Sequence, residues 1–346
     1  EIYMGDWSSD VCSSDLGVID IAPLTSKEHT YREVAVSLFN ASVLATGLFD
    51  EGDGDWLVAV RRGHPDLVLD LTDPSFGDPR YHDLHGRLRL HLTDGLAASA
   101  NVLVFDDQLI VSDSDAEELA RARYRDQYYW LRFDYAASSD VAGSLVLART
   151  NLESRRSGSA DQPGISRGSL EDRRDFGIDS LQSEWSWRFS ERALAQFGAE
   201  WRRARGDYEY RDDVELDLLF VTPGAATDVV RERAFEVRPR GSQYGAYANL
   251  RVEPLDPLAL DVGLRWDEET LSPGGSHRVS PRLGMRYRFD PRTEARASWG
   301  RYCQGQAINE LQVSDGITSF HPTQCSDHLV GSLEYQHLYG DRKSVV

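Results

Sequence analysis

The sequence predicts an all-β fold, an antiparallel transmembrane β-barrel. Three observations predict it. Apolar and polar residues alternate with period 2 in segment after segment, which gives each strand one apolar and one polar face. The polar faces carry arginine and glutamate where a β-sandwich needs a dry interior. Lipid outside and water inside suit that pattern. Finally, the connections alternate between short and long, as turns at one membrane surface and loops at the other.

Composition fits. The chain has 346 residues, a net charge of −19 and 40% hydrophobic residues. An acidic balance argues against nucleic-acid binding, which needs basic patches. The mean hydropathy of −0.48 agrees with a barrel, because half of each strand and all of the loops are polar. No apolar run reaches the ~18 residues of a transmembrane helix.

In chain order, Gly17-Val18-Ile19-Asp20-Ile21 is a short β run. Residues 32–38 and 43–49 form the first strand pair, joined across Asn40-Ala41. After an acidic turn, Trp56, Val58 and Val60 alternate with Leu57, Ala59 and Arg61. Gly86, Leu88, Leu90 and Leu92 oppose Arg87, Arg89 and His91, and Thr93-Asp94-Gly95 turns the chain back into 98–105. Tyr129, Leu131, Phe133 and Tyr135 oppose Trp130, Arg132 and Asp134; Gly143, Leu145 and Leu147 return. Leu181, Trp185, Trp187 and Phe189 oppose Gln182, Glu184, Ser186 and Arg188. Ala195, Phe197, Ala199 and Trp201 oppose Gln196, Gly198, Glu200 and Arg202. Ala246, Ala248, Leu250 and Val252 lead through Pro254-Leu255-Asp256-Pro257 to Leu258, Leu260, Val262, Leu264 and Trp266, the cleanest alternation in the chain. Leu283, Met285, Tyr287 and Phe289 then alternate with Arg282, Gly284, Arg286 and Arg288. Asp290-Pro291-Arg292 turns, and Ala295, Ala297 and Trp299 alternate with Arg296, Ser298 and Gly300. A last strand covers 327–336.

Short turns near 50–55, 93–95, 138–140, 190–192, 254–257 and 290–292 alternate with long polar segments 67–80, 106–123, 155–173, 203–241, 268–278 and 304–325. The short turns face the periplasm and the long segments the exterior. Trp56, Trp187, Trp266 and Trp299 sit near strand ends, as girdle aromatics do. About 14 strands are expected on this pattern.

The runs Val279-Ser280-Pro281-Arg282-Leu283-Gly284, Arg296-Ala297-Ser298-Trp299-Gly300-Arg301 and Ile308-Asn309-Glu310-Leu311 resemble the barrel of a TonB-dependent outer-membrane receptor. Residues 17–21 resemble the end of that family's plug domain, and the resemblance covers 17–340. It implies a barrel of about 22 strands with a plugged lumen, so that about 14 are present here and most of the plug is not. It also implies a location in the bacterial outer membrane and contact with its lipid. The intact protein would import a large, scarce ligand (a metal–siderophore complex, a cobalamin or a glycan), driven by TonB through the missing plug segment, without covalent chemistry or a cofactor. The alternatives are a passive porin, which lacks a plug, and an outer-membrane barrel enzyme. Gly-x-Ser-x-Gly and HExxH are absent, and Gly63 and Gly77 form no phosphate loop.

Both ends read as foreign. Residues 1–16, with Asp6-Trp7-Ser8-Ser9-Asp10-Val11-Cys12-Ser13-Ser14-Asp15-Leu16, resemble a sequencing adapter translated in one frame, and so do residues 341–346. The expected organisation is therefore adapter (1–16), end of plug and linker (17–30), partial barrel (31–340) and adapter (341–346).

Setting Cys12 aside with the adapter leaves Cys303 and Cys325 at similar height on neighbouring strands. They are the candidates for a disulfide closing the loop 304–324 in an envelope setting where disulfides persist; two unpaired thiols are the alternative. The inner-face arginines Arg265, Arg282, Arg286, Arg288 and Arg296 are candidates to steer an anionic ligand, or to hydrogen-bond the plug and acidic lumen residues. The acidic run Asp207, Glu209, Asp212, Asp213, Glu215 and Asp217 lacks EF-hand spacing and reads as a solvated loop. His321 and His328 flank Cys325, a weak hint of a metal site without a metal motif. No metal site is expected.

Overall fold

The computed structural model describes residues 30–49, 53–66, 69, 77–113, 118–162, 166–216, 229–336 and 342–345. The segments expected to be a plug remnant (17–21) and an N-terminal adapter (1–16) lie outside them. One antiparallel sheet of 16 strands holds these residues. In order they are β1 (Thr30–Val36), β2 (Asn40–Leu48), β3 (Gly54–Gly63), β4 (Asp78–Thr93), β5 (Leu96–Asp113), β6 (Glu118–Ala136), β7 (Val141–Gln162) and β8 (Ser166–Ser190). Then follow β9 (Ala193–Leu216), β10 (Val229–Val237), β11 (Arg240–Leu255), β12 (Leu258–Glu269), β13 (Ser276–Asp290), β14 (Thr293–Gln304), β15 (Gln324–Gln336) and β16 (Arg342–Val345).

Each strand pairs with the next, except that β9 pairs with both β10 and β11. β11 takes the lower part of β9 and β10 the upper part. Arg238-Pro239 interrupts the line between them, because proline has no amide to give the ladder. The Gly206 amide instead donates to the Pro239 carbonyl at 2.9 Å. β10 and β11 thus share one place in the sheet, and this together with β16 accounts for the difference from the expected strand count. β1 and β16 are the edges, and no pairing among the described residues joins them. β16 falls within the segment read as adapter. An open sheet edge will pair with any short extended peptide.

The period-2 pattern explains the two faces. On β13 the outward Leu283, Met285, Tyr287 and Phe289 are 51, 45, 36 and 62% exposed. Neighbouring strands add Leu131, Leu147, Leu181, Leu250, Val262 and Leu264, all exposed. Each such side chain gains roughly 1.5–3 kcal/mol on leaving water, so the convex side calls for lipid. The outward column from Val279 to Phe289 covers ten steps of ~3.3 Å, or about 25 Å in height at a tilt of ~40°. That is one apolar membrane band. Tyr129, Trp201, Tyr244, Trp266 and Trp299 border it above; Tyr135, Trp187, Phe189, Tyr287 and Phe289 border it below, where Trp187–Phe189 and Tyr287–Phe289 pack ring to ring at 5.6 and 4.9 Å.

The lower turns are locked by their own side chains. Asp290 Oδ1 accepts the Arg292 and Thr293 amides at 2.7 and 3.0 Å. Ser138 Oγ accepts those of Asp140 and Val141 at 3.1 and 3.2 Å. Such short-range caps are why Asp and Ser mark turns. The first upper turn lies at 37–39, earlier than expected, because Ser37 Oγ caps the Phe39 and Asn40 amides at 3.2 and 3.0 Å.

The upper connections differ from the expected irregular loops in one respect. Segments 106–123, 155–173 and much of 203–241 continue as strands, so β7 to β9 run 22, 25 and 24 residues. Above the membrane both faces of a hairpin are wet, so the apolar alternation that identifies a strand disappears while the ladder continues. Cross-strand ion pairs replace it: Arg123 and Arg125 with Asp106 at 2.8 and 2.7 Å, and Arg155 with Asp175 at 2.9 Å.

Candidate functional site

The buried apolar cluster lies on the concave side, above the membrane band. The loop 305–323 leaves β14, folds inward and packs Ile308, Leu311, Val313 and Phe320 against Phe176 of β8 and Ala204, Tyr208 and Tyr210 of β9. These wall residues continue the inward parity of Glu184 and Gln182 on β8, and of Gly198, Glu200 and Arg202 on β9. The loop therefore crosses the concave face from the β14–β15 hairpin to β8–β10 and covers the upper end of the lumen wall.

Hydrogen bonds fix it there. The fully buried Tyr208 donates to the Ile308 carbonyl at 2.5 Å and accepts the Leu311 amide at 3.2 Å. Burial pushes its hydroxyl up to about 12. Arg233 of β10 donates to the Ser314 carbonyl at 2.8 Å while Asp212 holds its fork at 2.7 and 2.8 Å. The Arg233 hydrogen bond in turn keeps the Asp212 carboxyl below its ordinary range. A short 3-10 turn, Val313–Asp315, ends on Gly316 at φ 80°, a conformation that costs glycine least. At the near rim Ser276 and Thr323 hydroxyls meet at 2.8 Å. Burial works against the Glu269 carboxylate beside them, yet the Ser272 and Ser276 hydroxyls and the Leu271 and Ser272 amides hold it below its ordinary range.

Cys303 and Cys325 stand at the root of this loop, directly opposite in register. Their sulfurs are bonded at 2.12 Å, with the Cα atoms 4.1 Å apart. Both lie on the outward side. Below them in register come Arg301 and Asp327, joined by two bonds of 3.0 Å, and then Trp299 and Leu329. The cysteines therefore sit just outside the apolar band.

The inner arginines do not converge. Arg265 lies mid-lumen, paired with Glu200 and bonded to Asp267 at 2.9 and 3.0 Å. Arg282 lies over the Tyr302 ring, 4.8 Å from its centre. Arg286 reaches Glu253 at 3.4 Å, Arg288 reaches Glu294 at 3.8 Å, and Arg296 reaches Glu294 and Glu334 at 2.7 and 3.6 Å, all near the lower turns. A recess on the concave face is lined by Arg89, Arg132, Glu184, Arg202, Tyr247 and Arg265. Of its arginines only Arg265 was singled out from the sequence, although Arg89, Arg132 and Arg202 share the same inward parity. Tyr208 and Tyr210 were missed because they lie above the belt, where the pattern gives no face.

Of the acidic run, Asp207 faces Arg238 at 3.3 Å, Asp212 faces Arg231 and Arg233, and Asp213 accepts from Ser169; Asp217 lies outside the described residues. No group of His, Cys, Asp and Glu able to hold a metal occurs among the described residues. His328 meets Ser326 at 2.8 Å and the Tyr302 ring at 5.1 Å.

A lipid-facing belt, a charged concave wall and a loop folded across its upper end define a transmembrane β-barrel of outer-membrane type. The family model for the TonB dependent receptor-like β-barrel matches residues 42–329, and the chain belongs to that family of Gram-negative outer-membrane receptors. Solved structures share the fold. The ferripyoverdine receptor of the Pseudomonas aeruginosa outer membrane, bound to ferripyoverdine, is 14% identical with a TM-score of 0.63; 93% of this chain covers 48% of that one. The siderophore receptor PiuA from Acinetobacter baumannii is 10% identical at 0.63, with 91% of this chain covering 56% of it. The ferric yersiniabactin uptake receptor FyuA from Yersinia pestis is 11% identical at 0.63, with 86% covering 50%. The chain thus spans about half the length of these structures. No curated protein matches it in sequence.

Proposed function

We propose that the receptor to which this barrel belongs imports a ferric siderophore or a scarce ligand of similar size, with energy delivered by TonB through a plug domain, and performs no covalent chemistry. The observation that carries this reading is the loop 305–323, held across the upper lumen wall by Tyr208 and Arg233. A loop so placed narrows the upper end of the lumen and contributes to the entrance of a ligand-specific import path. The neighbours named above as siderophore receptors support the ligand class. The family match favours an energised receptor over a porin. The adapter reading of residues 1–16 and 341–346 belongs to the same proposal, and resequencing the source locus checks it: a continuous frame without adapter bases would refute it.

The functional test is uptake of radiolabelled iron by cells expressing the full gene product, supplied with a panel of ferric siderophores, with and without TonB. TonB-dependent uptake of one of them is expected. Uptake that is unselective and independent of TonB would overturn the proposal in favour of a porin.

A further inference from the structure

On the outward side of β7–β11 the surface changes from aliphatic to basic within one step of the pleat. The outward column of β7 runs Leu145, Leu147, Arg149. That of β9 runs Ala199, Trp201, Arg203, Arg205, and that of β11 starts at Arg240 and descends through Ser242 to Tyr244. Register sets Arg149 against Asp179, Asp179 against Arg203, and Arg205 directly against Arg240. Asp179 takes Arg149 at 2.6 Å and lies 3.8 Å from Arg205, while Arg203 stands opposite it in register and Arg240 one strand further on. The next outward carboxylate on β9, Asp207, is engaged by Arg238 at 3.3 Å. Like charges directly opposite on neighbouring strands repel, so the Arg205–Arg240 pair calls for an anion.

The patch also has a floor. The Arg149 guanidinium lies across Gly177, where a Cβ would come within 2.7 Å of its Nη2. Gly177 stands in register beside Arg205, which leaves a shallow seat between the two guanidinium groups. One pleat step is ~6.6 Å of strand, or about 5 Å of height, so the seat lies just above the Leu147–Leu181 row. That is the level of the headgroups, beside the girdle residues Tyr129, Trp201 and Tyr244.

The next arginine row makes the contrast. Arg123, Arg155 and Arg173 are also directly in register, yet Asp106 takes Arg123 at 2.8 Å and Asp175 takes Arg155 and Arg173 at 2.9 and 3.3 Å. The row in water carries its own counter-ions; the two rows at the headgroups, Arg149–Asp179–Arg203 and Gly177–Arg205–Arg240, carry one aspartate for four arginines, in a chain whose net charge is −19.

We propose that Arg149, Arg203, Arg205 and Arg240 form a seat for the phosphate groups of an outer-leaflet lipid headgroup, gripped by the guanidinium forks. The occupant follows from continuity with the lipid-facing girdle and from the excess of positive charge at that height. The inference rests on the membrane orientation of the barrel and is independent of the imported ligand.

The test places the full receptor in nanodiscs of zwitterionic phosphatidylcholine doped with diphosphoryl lipid A. Bound lipid is counted by native mass spectrometry, and folding is checked by heat-dependent mobility on gels. R203Q and R205Q are each expected to weaken retention about fivefold, and D179N to strengthen it. R123Q/R155Q, on the upper row, should leave it unchanged. Inorganic phosphate alone should compete only weakly, because it lacks the acyl chains that lie against the belt. Equal retention by the native protein and R203Q/R205Q would overturn the proposal. So would equal loss in R123Q/R155Q, or a D179N variant that loses lipid. Displacement by inorganic phosphate at low concentration would overturn the lipid source.

Discussion

The Tyr208 hydroxyl stands between the Ile308 carbonyl and the Leu311 amide, bonding to both, and so ties the wall of the barrel to a loop 100 residues further along the chain. This single side chain satisfies two backbone groups that the loop brings into a buried place. Y208F removes both bonds and leaves those groups unpartnered, at roughly 1–3 kcal/mol each. Hydrogen exchange should show the Leu311 amide losing at least tenfold of its protection while β13 amides keep theirs. Unchanged protection at Leu311 would contradict the anchoring role.

The same hydroxyl gives the loop a dependence on pH. Burial raises Tyr208 from an ordinary value of 10.0 to about 12, so the folded state holds its proton more tightly than the unfolded state does. The contribution is fully present below pH ~10 and is lost as the pH rises through ~12. Difference absorbance titration of the native protein against Y208F should isolate one tyrosinate that forms late. A missing tyrosine with an ordinary midpoint would contradict the burial.

The Cys303–Cys325 bond closes a loop with a sequence separation of 22. Loop-closure entropy for that length is about 3 kcal/mol. C303S/C325S should therefore make the segment 305–323 more sensitive to protease and lower the thermal transition by several degrees. A thiol assay on the denatured, unreduced protein should find both cysteines blocked. Two free thiols would refute the bond in the native protein.

Among the lumen arginines, R265Q should be the costly change. It leaves Asp267 without the guanidinium that bonds it and Glu200 with only the 3.3 Å contact to Arg202, and a partly buried carboxylate that loses its partner destabilises. R288Q removes a 3.8 Å contact near an exposed turn and should change stability by less than ~0.5 kcal/mol. Thermal melts in detergent compare the two. If charge swaps at Arg286, Arg288 and Arg296 leave uptake of an anionic ligand intact, these side chains brace the wall and do not steer ligand.

The belt was legible in the sequence because lipid makes one face of each strand apolar. Leu283, Met285, Tyr287 and Phe289 announce a strand, and their partners Arg282, Arg286 and Arg288 announce a wet interior. The hairpin tops of β5 to β9 were not legible as strands, because Arg123, Arg155 and Asp175 face water on the same side where Leu131 and Leu147 face lipid. The inward fold of the loop was hidden for a different reason. Ile308, Leu311, Val313 and Phe320 occupy an irregular segment with no period, and their partner Tyr208 is brought to them only by the curvature of the sheet. The root cysteines were legible because height above a turn can be counted along a strand, and no curvature enters that count.

Which side of the sheet meets lipid decides whether these strands form a transmembrane barrel. The most direct measurement is spin-label accessibility along β13 in lipid vesicles, with labels introduced one at a time through R282C, L283C, G284C, M285C, R286C and Y287C in a background lacking the native cysteines. Labels at 283, 285 and 287 should be reached by oxygen and shielded from a water-soluble nickel chelate, and those at 282, 284 and 286 should show the reverse. A profile without this alternation, or with the water-soluble reagent favouring the odd positions, would contradict the barrel.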